Sequence, residues 1–339
     1  MPPTMKNTLK HIQSGKNTVT QQRQSLKKRK ENMKVIKLVN GEYKAEILDQ
    51  GAILYSYSVS GHDIVLGFEN IDDNIHSNSF FGQVVGPFAN RINNAVYRDG
   101  NGDHILEKNN GKNHLHSGSR NYGYQTWDVV EVTESSCTLS LFSPEGFGFP
   151  GDQKVEVKYS LSSDGRLSLQ YKIQGDKECP VNPTNHAFFN LDGEGDVRDS
   201  VVTIPAESYL EVDDGLIPTS VTKVEGTEFD FRKPTVLGSR RKGDYDHCFV
   251  LDDGATIRVE NSGYALEMKT SLPGVQFYTS GHLNRKEKGK KGMALVPYTG
   301  FCLESEYYPD FPNRPDFPGF VVGKGKTYES WTEYKLIKK

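Results

Sequence analysis

A histidine and a glutamate that lie far apart in the sequence are the residue types that acid–base catalysis needs. His186 lies within residues 183–190 (PTNHAFFN), and Glu304 ends the apolar run of residues 300–303. An imidazole and a carboxylate that face each other can remove one proton from a neutral substrate and supply another. This chemistry needs no metal, nucleophile or nucleotide, so we expect no cofactor and no metal site.

Polar residues in three other segments are candidates for binding a substrate. Asn90 and Arg91 lie among apolar residues, where a partly buried guanidinium must find hydrogen-bond acceptors. A structural salt bridge explains Arg91 equally well. Asp246 precedes a strand-like run and Gln276 lies within one, although such an Asp usually serves a turn and such a Gln usually faces water.

Two histidines, His114 and His116, are spaced as i and i+2. In a strand this spacing points both rings the same way, whereas in a loop it does not fix their directions. Zinc would need further ligands at recognisable spacing, and the sequence has neither an HExxH motif nor clustered cysteines. Taken alone, either histidine is better explained by a structural or solvent-facing role.

Together these segments supply the mixture that a neutral sugar requires. Amide, charged and imidazole groups can pair with sugar hydroxyls, and the 17 Tyr and 17 Phe residues offer aromatic faces to C–H groups. Lectins use the same mixture, so composition alone does not separate binding from turnover.

The elements that must position these residues are predicted to be β-strands. From Lys34 onward, short apolar runs are separated by Gly, Asn, Asp and Pro, without a long helical period. Apolar and polar residues alternate through residues 155–173 on either side of Asp164-Gly165, which predicts a hairpin with one wet face. Further strands are predicted at residues 52–59, 137–142, 201–204, 256–260, 265–270, 275–279 and 328–336. So many strands indicate an all-β fold, a large antiparallel β-sandwich.

Two segments are predicted to lie outside this framework. Residues 1–33 hold eight Lys or Arg and one acid, Glu31, which predicts a disordered basic N-terminal extension before a single domain of residues 34–339. Residues 286–291 (KEKGKK) predict a mobile surface loop, because neither a helix N-terminus nor a Gly-rich cradle for phosphate accompanies them.

Charge and cysteine usage exclude several classes of function. Lys and Arg number 41 against 44 Asp and Glu, and this net charge of −3 disfavours a nucleic-acid or membrane-surface binder. No run approaches the roughly 18 apolar residues of a membrane span. The four cysteines are widely spaced without a CxxC pair, which predicts free thiols and a cytoplasmic location; they are Cys137, Cys179, Cys248 and Cys302.

Six motifs in a fixed order resemble the aldose 1-epimerase (galactose mutarotase) family. They are GPFANRINN, NHLHSG, NPTNHAFFNLDG, DYDHCFVL, GVQFYTSG and GFCLESEYYPDFPNRPDFP. The resemblance covers the chain from about Met33 to the C-terminus, and the closing PDFPNRPDFP run is especially distinctive. It implies a mutarotase-like supersandwich, a β-sandwich in which the sugar lies across a concave sheet.

The resemblance also implies roles for individual residues. His186 of the TNH motif matches the general acid, and Glu304 of the FCLE motif matches the general base. The residues that match groups holding the sugar hydroxyls are Asn90, Arg91, His116, Asp246 and Gln276.

The implied reaction interconverts the α and β anomers of free hexoses such as galactose and glucose. Glu304 takes the proton of the C1 hydroxyl while His186, as an imidazolium with a pKa near neutrality, protonates the ring oxygen. The opened aldehyde rotates about its C1–C2 bond and recloses on the other face. The expected partner is therefore a small aldose, and the expected state is a monomer or weak dimer.

Several positions depart from the family pattern. Ser117 stands where glycine is common, Ser305-Glu306 where Pro-Gln is common, and Gly281-His282 where Gly-Asn is frequent. These changes leave the preferred sugar open. The added negative charge of Glu306 is expected to raise the pKa of Glu304.

Two other functions remain open from the sequence. A hexose-6-phosphate mutarotase of the same fold would need a cluster of Arg or Lys for the phosphate, and only Arg91 lies within the motifs. A non-catalytic sugar-binding or regulatory protein would keep the groove, but binding alone does not need both His186 and Glu304.

Overall fold

The computed structural model describes residues 33–75 and 77–339. The extension predicted over residues 1–33 lies outside the described residues, except for Met33. The regular structure of the described chain consists of strands and short 3-10 helices. No helix in residues 33–75 and 77–339 has the length and apolar character that crossing a membrane requires.

The strands follow one another with short connections, and in chain order they are β1 (Val35–Asn40), β2 (Tyr43–Leu48), β3 (Leu54–Val59), β4 (His62–Asp63), β5 (Val84–Val85), β6 (Arg91–Ile92), β7 (Val96–Asp99), β8 (Gly102–Ile105), β9 (His114–Leu115), β10 (Asp128–Val132), β11 (Ser136–Ser143), β12 (Gln153–Leu161), β13 (Arg166–Gly175), β14 (Cys179–Pro180), β15 (Thr184–Asn185), β16 (Phe188–Phe189), β17 (Val201–Thr203), β18 (Ser208–Val212), β19 (Pro218–Lys223), β20 (Thr235–Val236), β21 (Asp246–Val250), β22 (Ile257–Glu260), β23 (Tyr264–Thr270), β24 (Gly274–Tyr278), β25 (Phe301–Glu306), β26 (Val321–Val322) and β27 (Thr327–Lys338). The 3-10 helices of the described chain are Ile71–Asn74, Asn93–Ala95, Gly118–Arg120, Tyr122–Tyr124, Val197–Asp199, Leu237–Ser239, Arg241–Gly243, Lys290–Gly292 and Phe311–Asn313.

Two large sheets form the framework. One has nine strands in the order β10-β11-β12-β13-β27-β23-β22-β17-β20, and the other has six in the order β16-β25-β24-β21-β18-β19. Strands β1 to β4 form a third sheet, and the remaining strands pair in twos. Neighbouring strands in both large sheets run antiparallel, so the predicted all-β, antiparallel architecture is confirmed.

The hairpin predicted from residues 155–173 is formed by β12 and β13. Its pairing places Val157 opposite Tyr171 and Tyr159 opposite Leu169, and these side chains are buried while the residues between them face outward. Gly165 has a φ of +78°, the left-handed conformation expected of the turn. The other predicted strands overlap β3, β11, β17, β22, β23, β24 and β27.

Strand β25 is buried on both faces, and this explains its apolar sequence. One face packs toward the nine-stranded sheet: the Tyr334 hydroxyl donates to the Leu303 carbonyl at 2.8 Å, and the hydroxyls of Ser305 and Thr332 lie 2.6 Å apart. Because side chains alternate along a strand, Glu304 projects from the opposite face. The core contacts of Leu303 therefore fix the direction of Glu304.

The prediction of a mobile surface loop at residues 286–291 is wrong for Lys290. Its ammonium group lies 2.8 Å from the Asp63 carboxylate, donates to the Val65 carbonyl at 2.9 Å and lies 4.3 Å from the centre of the Tyr55 ring. A desolvated ammonium needs such partners, and they come from a segment far away in the sequence. Lys290 thus anchors residues 286–291, the segment that directly follows residues 282–285.

Candidate active site

Three neighbouring strands place polar side chains on one face of the six-stranded sheet. In the register of β21, β24 and β25, Gln276 pairs with Glu304 and with Cys248 on its other side. The next row toward the cavity contains Asp246, which pairs with Tyr278. The sheet therefore brings together residues that the sequence separates, and Asp246, Gln276 and Glu304 line one cavity of about 330 Å³.

His186 enters this cavity from the segment between β15 and β16. Its backbone N–H donates to the Gln83 carbonyl, and its carbonyl accepts from the Gly82 N–H, both at 2.9 Å. Its ring stacks on Phe188 with a centroid distance of 5.1 Å. The Nε2 atom lies 3.5 Å from Oε2 of Glu304, while Nδ1 faces the Cys302 sulfur at 3.7 Å. The predicted acid and base therefore face each other in a shared cavity.

Burial controls the protonation of both groups. Desolvation raises the pKa of Glu304 well above its usual value, and Glu306, the second largest cause, raises it further, as the sequence suggested. Desolvation lowers the pKa of His186 to about 4. The imidazole is therefore neutral at pH 7, and the near-neutral pKa expected from the sequence is wrong. Burial outweighs the other influences on the two pKa values because both side chains are almost completely inaccessible to solvent.

His116 lies beside His186, with ring centroids 5.3 Å apart. Its Nδ1 accepts from the backbone N–H of Asn90 at 3.1 Å, so the proton of the neutral ring is on Nε2. Desolvation lowers the pKa of His116 well below its usual value and keeps the ring neutral. The left-handed backbone of His116, with a φ of +51°, separates it from His114, whose Nδ1 instead contacts the Glu107 carbonyl at 2.7 Å.

Arg91 and the Asp246–Gln276 pair supply the remaining predicted polar groups. The Nε of Arg91 donates to the Asn110 side-chain oxygen at 3.1 Å, and the side chain lines the cavity. The Gln276 amide donates to Asp246 at 2.6 Å. Desolvation raises the pKa of Asp246, and the charge of Arg91 opposes this rise. Gln276 thus faces the cavity rather than water.

All seven residues predicted from the sequence line this cavity, together with residues that the sequence reasoning missed. Phe188 follows His186 by two positions, and Tyr278 follows Gln276 by two, so the period of a strand could have identified both. Phe80 contacts the His116 ring at 4.9 Å between centroids. Its loop position carries no comparable pattern. The other missed lining residues include Asn78, Ser79, His282, Asn284 and Arg285.

Three of the residues that line the cavity resemble a metal-ligand set. One ligand atom each from His116, His186 and Glu304 lies within 4.8 Å of the others. The Asn90 N–H occupies Nδ1 of His116, so its Nε2 presents a proton instead of a lone pair. The two remaining groups fall short of the three or four protein ligands that zinc usually takes. The donor set therefore fits hydrogen bonding to hydroxyls better than metal binding.

Comparison with known proteins places this geometry in a family. The family model described as "Aldose 1-epimerase" matches residues 34–335. A galactose mutarotase from Bos taurus is 36% identical over 318 residues, which cover 88% of this chain and 92% of the bovine protein. An aldose 1-epimerase from Escherichia coli K12 is 35% identical over 319 residues, covering 86% of this chain and 91% of that protein.

A solved structure agrees with these sequence matches. The crystal structure of an aldose epimerase homologue from C. elegans superimposes with a TM-score of 0.87 at 30% identity, covering 91% of this chain and 99% of that one. The chain belongs to the aldose 1-epimerase family.

Proposed function

We propose that this protein interconverts the α and β anomers of a free hexose such as galactose or glucose, with His186 and Glu304 as its acid and base. The observation that carries this proposal is the 3.5 Å separation of the two groups inside one cavity. Relatives named galactose mutarotase and aldose 1-epimerase support the same reaction class.

The pair needs only one exchangeable proton. Burial favours a neutral carboxylic acid at Glu304 and a neutral imidazole at His186. Transfer of that proton from Glu304 to His186 produces the carboxylate and the imidazolium that ring opening requires. The positive charge of Arg91 lowers the pKa of Glu304 and so assists the transfer. Sugar hydroxyls that replace water in the cavity complete the polar environment.

Ring opening then moves two protons in concert. The Glu304 carboxylate takes the proton of the C1 hydroxyl, the bond from C1 to the ring oxygen breaks, and the His186 imidazolium protonates that oxygen. After rotation about C1–C2, the two residues exchange roles and the ring recloses on the opposite face. During reclosure His186 regains a proton from the sugar hydroxyl and Glu304 returns one to the C1 oxygen, so both residues recover their starting protonation states within the same cycle.

The other predicted residues suit the binding of a neutral sugar. Asp246 and Gln276 form an acceptor and donor pair for hydroxyls, and His116 presents an N–H. Phe80 and Phe188 offer aromatic faces in the same cavity. Holding the hemiacetal between the acid and the base makes both proton transfers effectively intramolecular.

A second candidate is a sugar phosphate, because Arg285 adds a guanidinium to the cavity lining. That guanidinium contacts Glu287 at 3.4 Å and lies over the Phe68 ring at 5.5 Å. Its charge is already partly compensated, and we favour the free sugar.

Polarimetry on freshly dissolved α-aldoses tests the proposal. The protein should accelerate the change in optical rotation of galactose or glucose, and should act less well on the corresponding 6-phosphates. A preference for the phosphates would establish the second candidate. An unchanged rate with every sugar would identify a non-catalytic sugar-binding protein.

We also infer that residues 34–339 act as one catalytic domain, as a monomer or weak dimer, in the cytoplasm. The chain from Val35 to Lys339 forms one compact unit. All four cysteines are buried and free, which suits a reducing compartment. Light scattering on the purified protein measures the oligomeric state.

A further inference from the structure

Glu306 is a second buried carboxyl group on the strand that carries Glu304. Residues two apart on a strand share a face, so Glu306 projects from the same side of β25 as Glu304. It pairs with Gly274, where a Cβ atom would lie 2.8 Å from the Cys248 sulfur. Glu306 is 0% exposed to solvent. Because Gly274 has no side chain, the Cys248 thiol and the Glu306 backbone have room to lie beside it.

The hydrogen-bond partners of Glu306 are uncharged. The Asn90 amide donates to Oε1 at 3.1 Å and to Oε2 at 3.4 Å, and the Cys248 thiol forms a further hydrogen bond. The charged or titratable groups that act on it from neighbouring elements are Asp246 and Arg91. No ion pair to Glu306 forms within residues 33–75 and 77–339, and the Nε of Arg91 is bound to Asn110.

Two buried carboxyl groups on one face do not readily ionise together. Desolvation raises the pKa of Glu306 well above its usual value, and the same cause acts on Glu304. Once Glu304 has given its proton to His186, the imidazolium lies 3.5 Å from the carboxylate, whereas the hydrogen-bond partners of Glu306 carry no positive charge. The negative charge that forms during the reaction is therefore better placed on Glu304, and the proton stays on Glu306.

Asn90 connects Glu306 to the cavity. While its amide nitrogen binds Glu306, its side-chain oxygen accepts from the Arg91 N–H at 2.9 Å. Its own backbone N–H donates to Nδ1 of His116 at 3.1 Å. Asn90 holds a left-handed backbone, with a φ of +65°, that needs such support. Loss of the acceptor at Glu306 would release the Asn90 side chain and, with it, the hydrogen bond that sets the tautomer of His116.

We propose that Glu306 is a positioning residue: a neutral carboxylic acid that holds Asn90, and through it His116, while the negative charge that forms on β25 during the reaction is carried by Glu304. The positioning part of this inference rests on the proposed mutarotase function. The protonation part does not, because it can be measured without turnover.

The positioning role is tested with Glu306→Gln and Glu306→Leu in polarimetric assays. Gln keeps an oxygen for the Asn90 amide without a charge, so we expect kcat/KM within about threefold of the parent. Leu removes the acceptor at similar volume, and we expect a loss of roughly tenfold or more in kcat/KM. Activity close to that of the parent in both variants would show that Glu306 only fills space. An equally large loss in both would show that a carboxylate is required; either result overturns the proposal.

The protonation state is tested by denaturant unfolding of the parent and Glu306→Gln between pH 4 and pH 8. Above the ordinary carboxyl pKa, the unfolded chain ionises Glu306 while the folded protein keeps its proton, so the parent loses stability relative to the variant as pH rises. The advantage of the variant should grow by up to about tenfold in folding equilibrium constant for each pH unit.

A matched control separates this effect from the loss of any carboxyl group. Glu131 is exposed on β10, and Glu131→Gln measures how the loss of a surface carboxyl group changes stability over the same pH range. If the Glu306→Gln difference is independent of pH, Glu306 is ionised in the folded protein and the proposal fails. If the parent protein shows no activity on any sugar, the proposed function fails. The unfolding data still decide the protonation of Glu306.

Discussion

The imidazole Nε2 of His186 lies 3.5 Å from a carboxyl oxygen of Glu304, and the two side chains are only 7% and 4% exposed. Two groups with opposite proton preferences are thus held together where water has little access. Burial favours the uncharged form of each, so their mutual attraction and the bound sugar must stabilise the charged forms. Catalysis and stability are therefore linked at this pair, and both can be measured.

Removing either member of the pair should abolish most turnover. We expect Glu304→Gln and His186→Asn each to reduce the polarimetric rate by roughly 10²-fold or more, because general acid–base help is lost while the cavity keeps its shape. Circular dichroism should show a folded protein in both cases. If Glu304→Gln keeps most of its activity, the assigned mechanism is wrong.

The same pair should make stability depend on pH. The pKa of His186 is lowered to about 4 in the folded protein, so below its unfolded pKa of about 6.5 the unfolded chain binds the extra proton. The stabilising contribution of the neutral ring is present above that value and is lost as pH falls toward 4. The loss amounts to up to about 3 kcal/mol.

Denaturant unfolding between pH 4 and pH 7 measures this effect. The parent should lose stability toward acid pH, and His186→Asn should lose less over the same range. His247 is a second buried histidine whose pKa desolvation lowers to about 4, so it accounts for part of the slope that remains in the variant. Identical slopes in the parent and His186→Asn would contradict a neutral His186.

Local patterns in the sequence predicted the strands well because burial repeats every second residue. The hairpin of β12 and β13 is the clearest case, since its alternation depends only on neighbours in the chain. The row that sets Gln276 beside Glu304 joins strands from separate segments, and no pattern within one segment reveals that pairing. The family resemblance, rather than spacing, indicated that these residues belong together.

Other features depended on contacts that the sequence does not display. The left-handed backbone of His116 turns its ring into the cavity, and the residue type does not predict that conformation. Lys290 was expected in a mobile loop because its acceptors, Asp63 and the Val65 carbonyl, lie far away in the chain. The lowered pKa of His186 has the same origin, since the depth of burial is a property of the whole fold and not of the neighbouring sequence.

Arg91 should affect both binding and turnover. Its charge lowers the pKa of Glu304, and its side chain lines the cavity beside His116. We expect Arg91→Ala to raise KM and lower kcat, each by roughly tenfold, because a positioned charge is lost. Arg285→Ala is a matched control at the cavity rim, where the guanidinium already contacts Glu287. A larger effect of Arg285→Ala than of Arg91→Ala would instead favour a phosphorylated substrate.

Gly82 hydrogen-bonds to the backbone of His186, and its replacement should lower both the stability of the protein and the activity of the site. Its N–H donates to the His186 carbonyl at 2.9 Å, its φ is +65°, and a Cβ atom there would lie 2.1 Å from the Leu54 carbonyl oxygen. Gly82→Ala must therefore displace backbone as well as adopt a strained conformation. We expect a loss of about 3 kcal/mol or more in the free energy of unfolding.

Gly61→Ala separates backbone conformation from steric overlap. Gly61 also has a positive φ, of +83°, but a Cβ atom there would meet nothing within 4 Å. Its replacement should cost only about 1–2 kcal/mol, the usual penalty for a left-handed alanine, and should leave kcat unchanged. Urea unfolding and polarimetry on both variants provide the comparison. Equal losses of stability would show that the conformation alone matters at Gly82, and normal kcat in Gly82→Ala would show that the backbone around His186 tolerates the displacement.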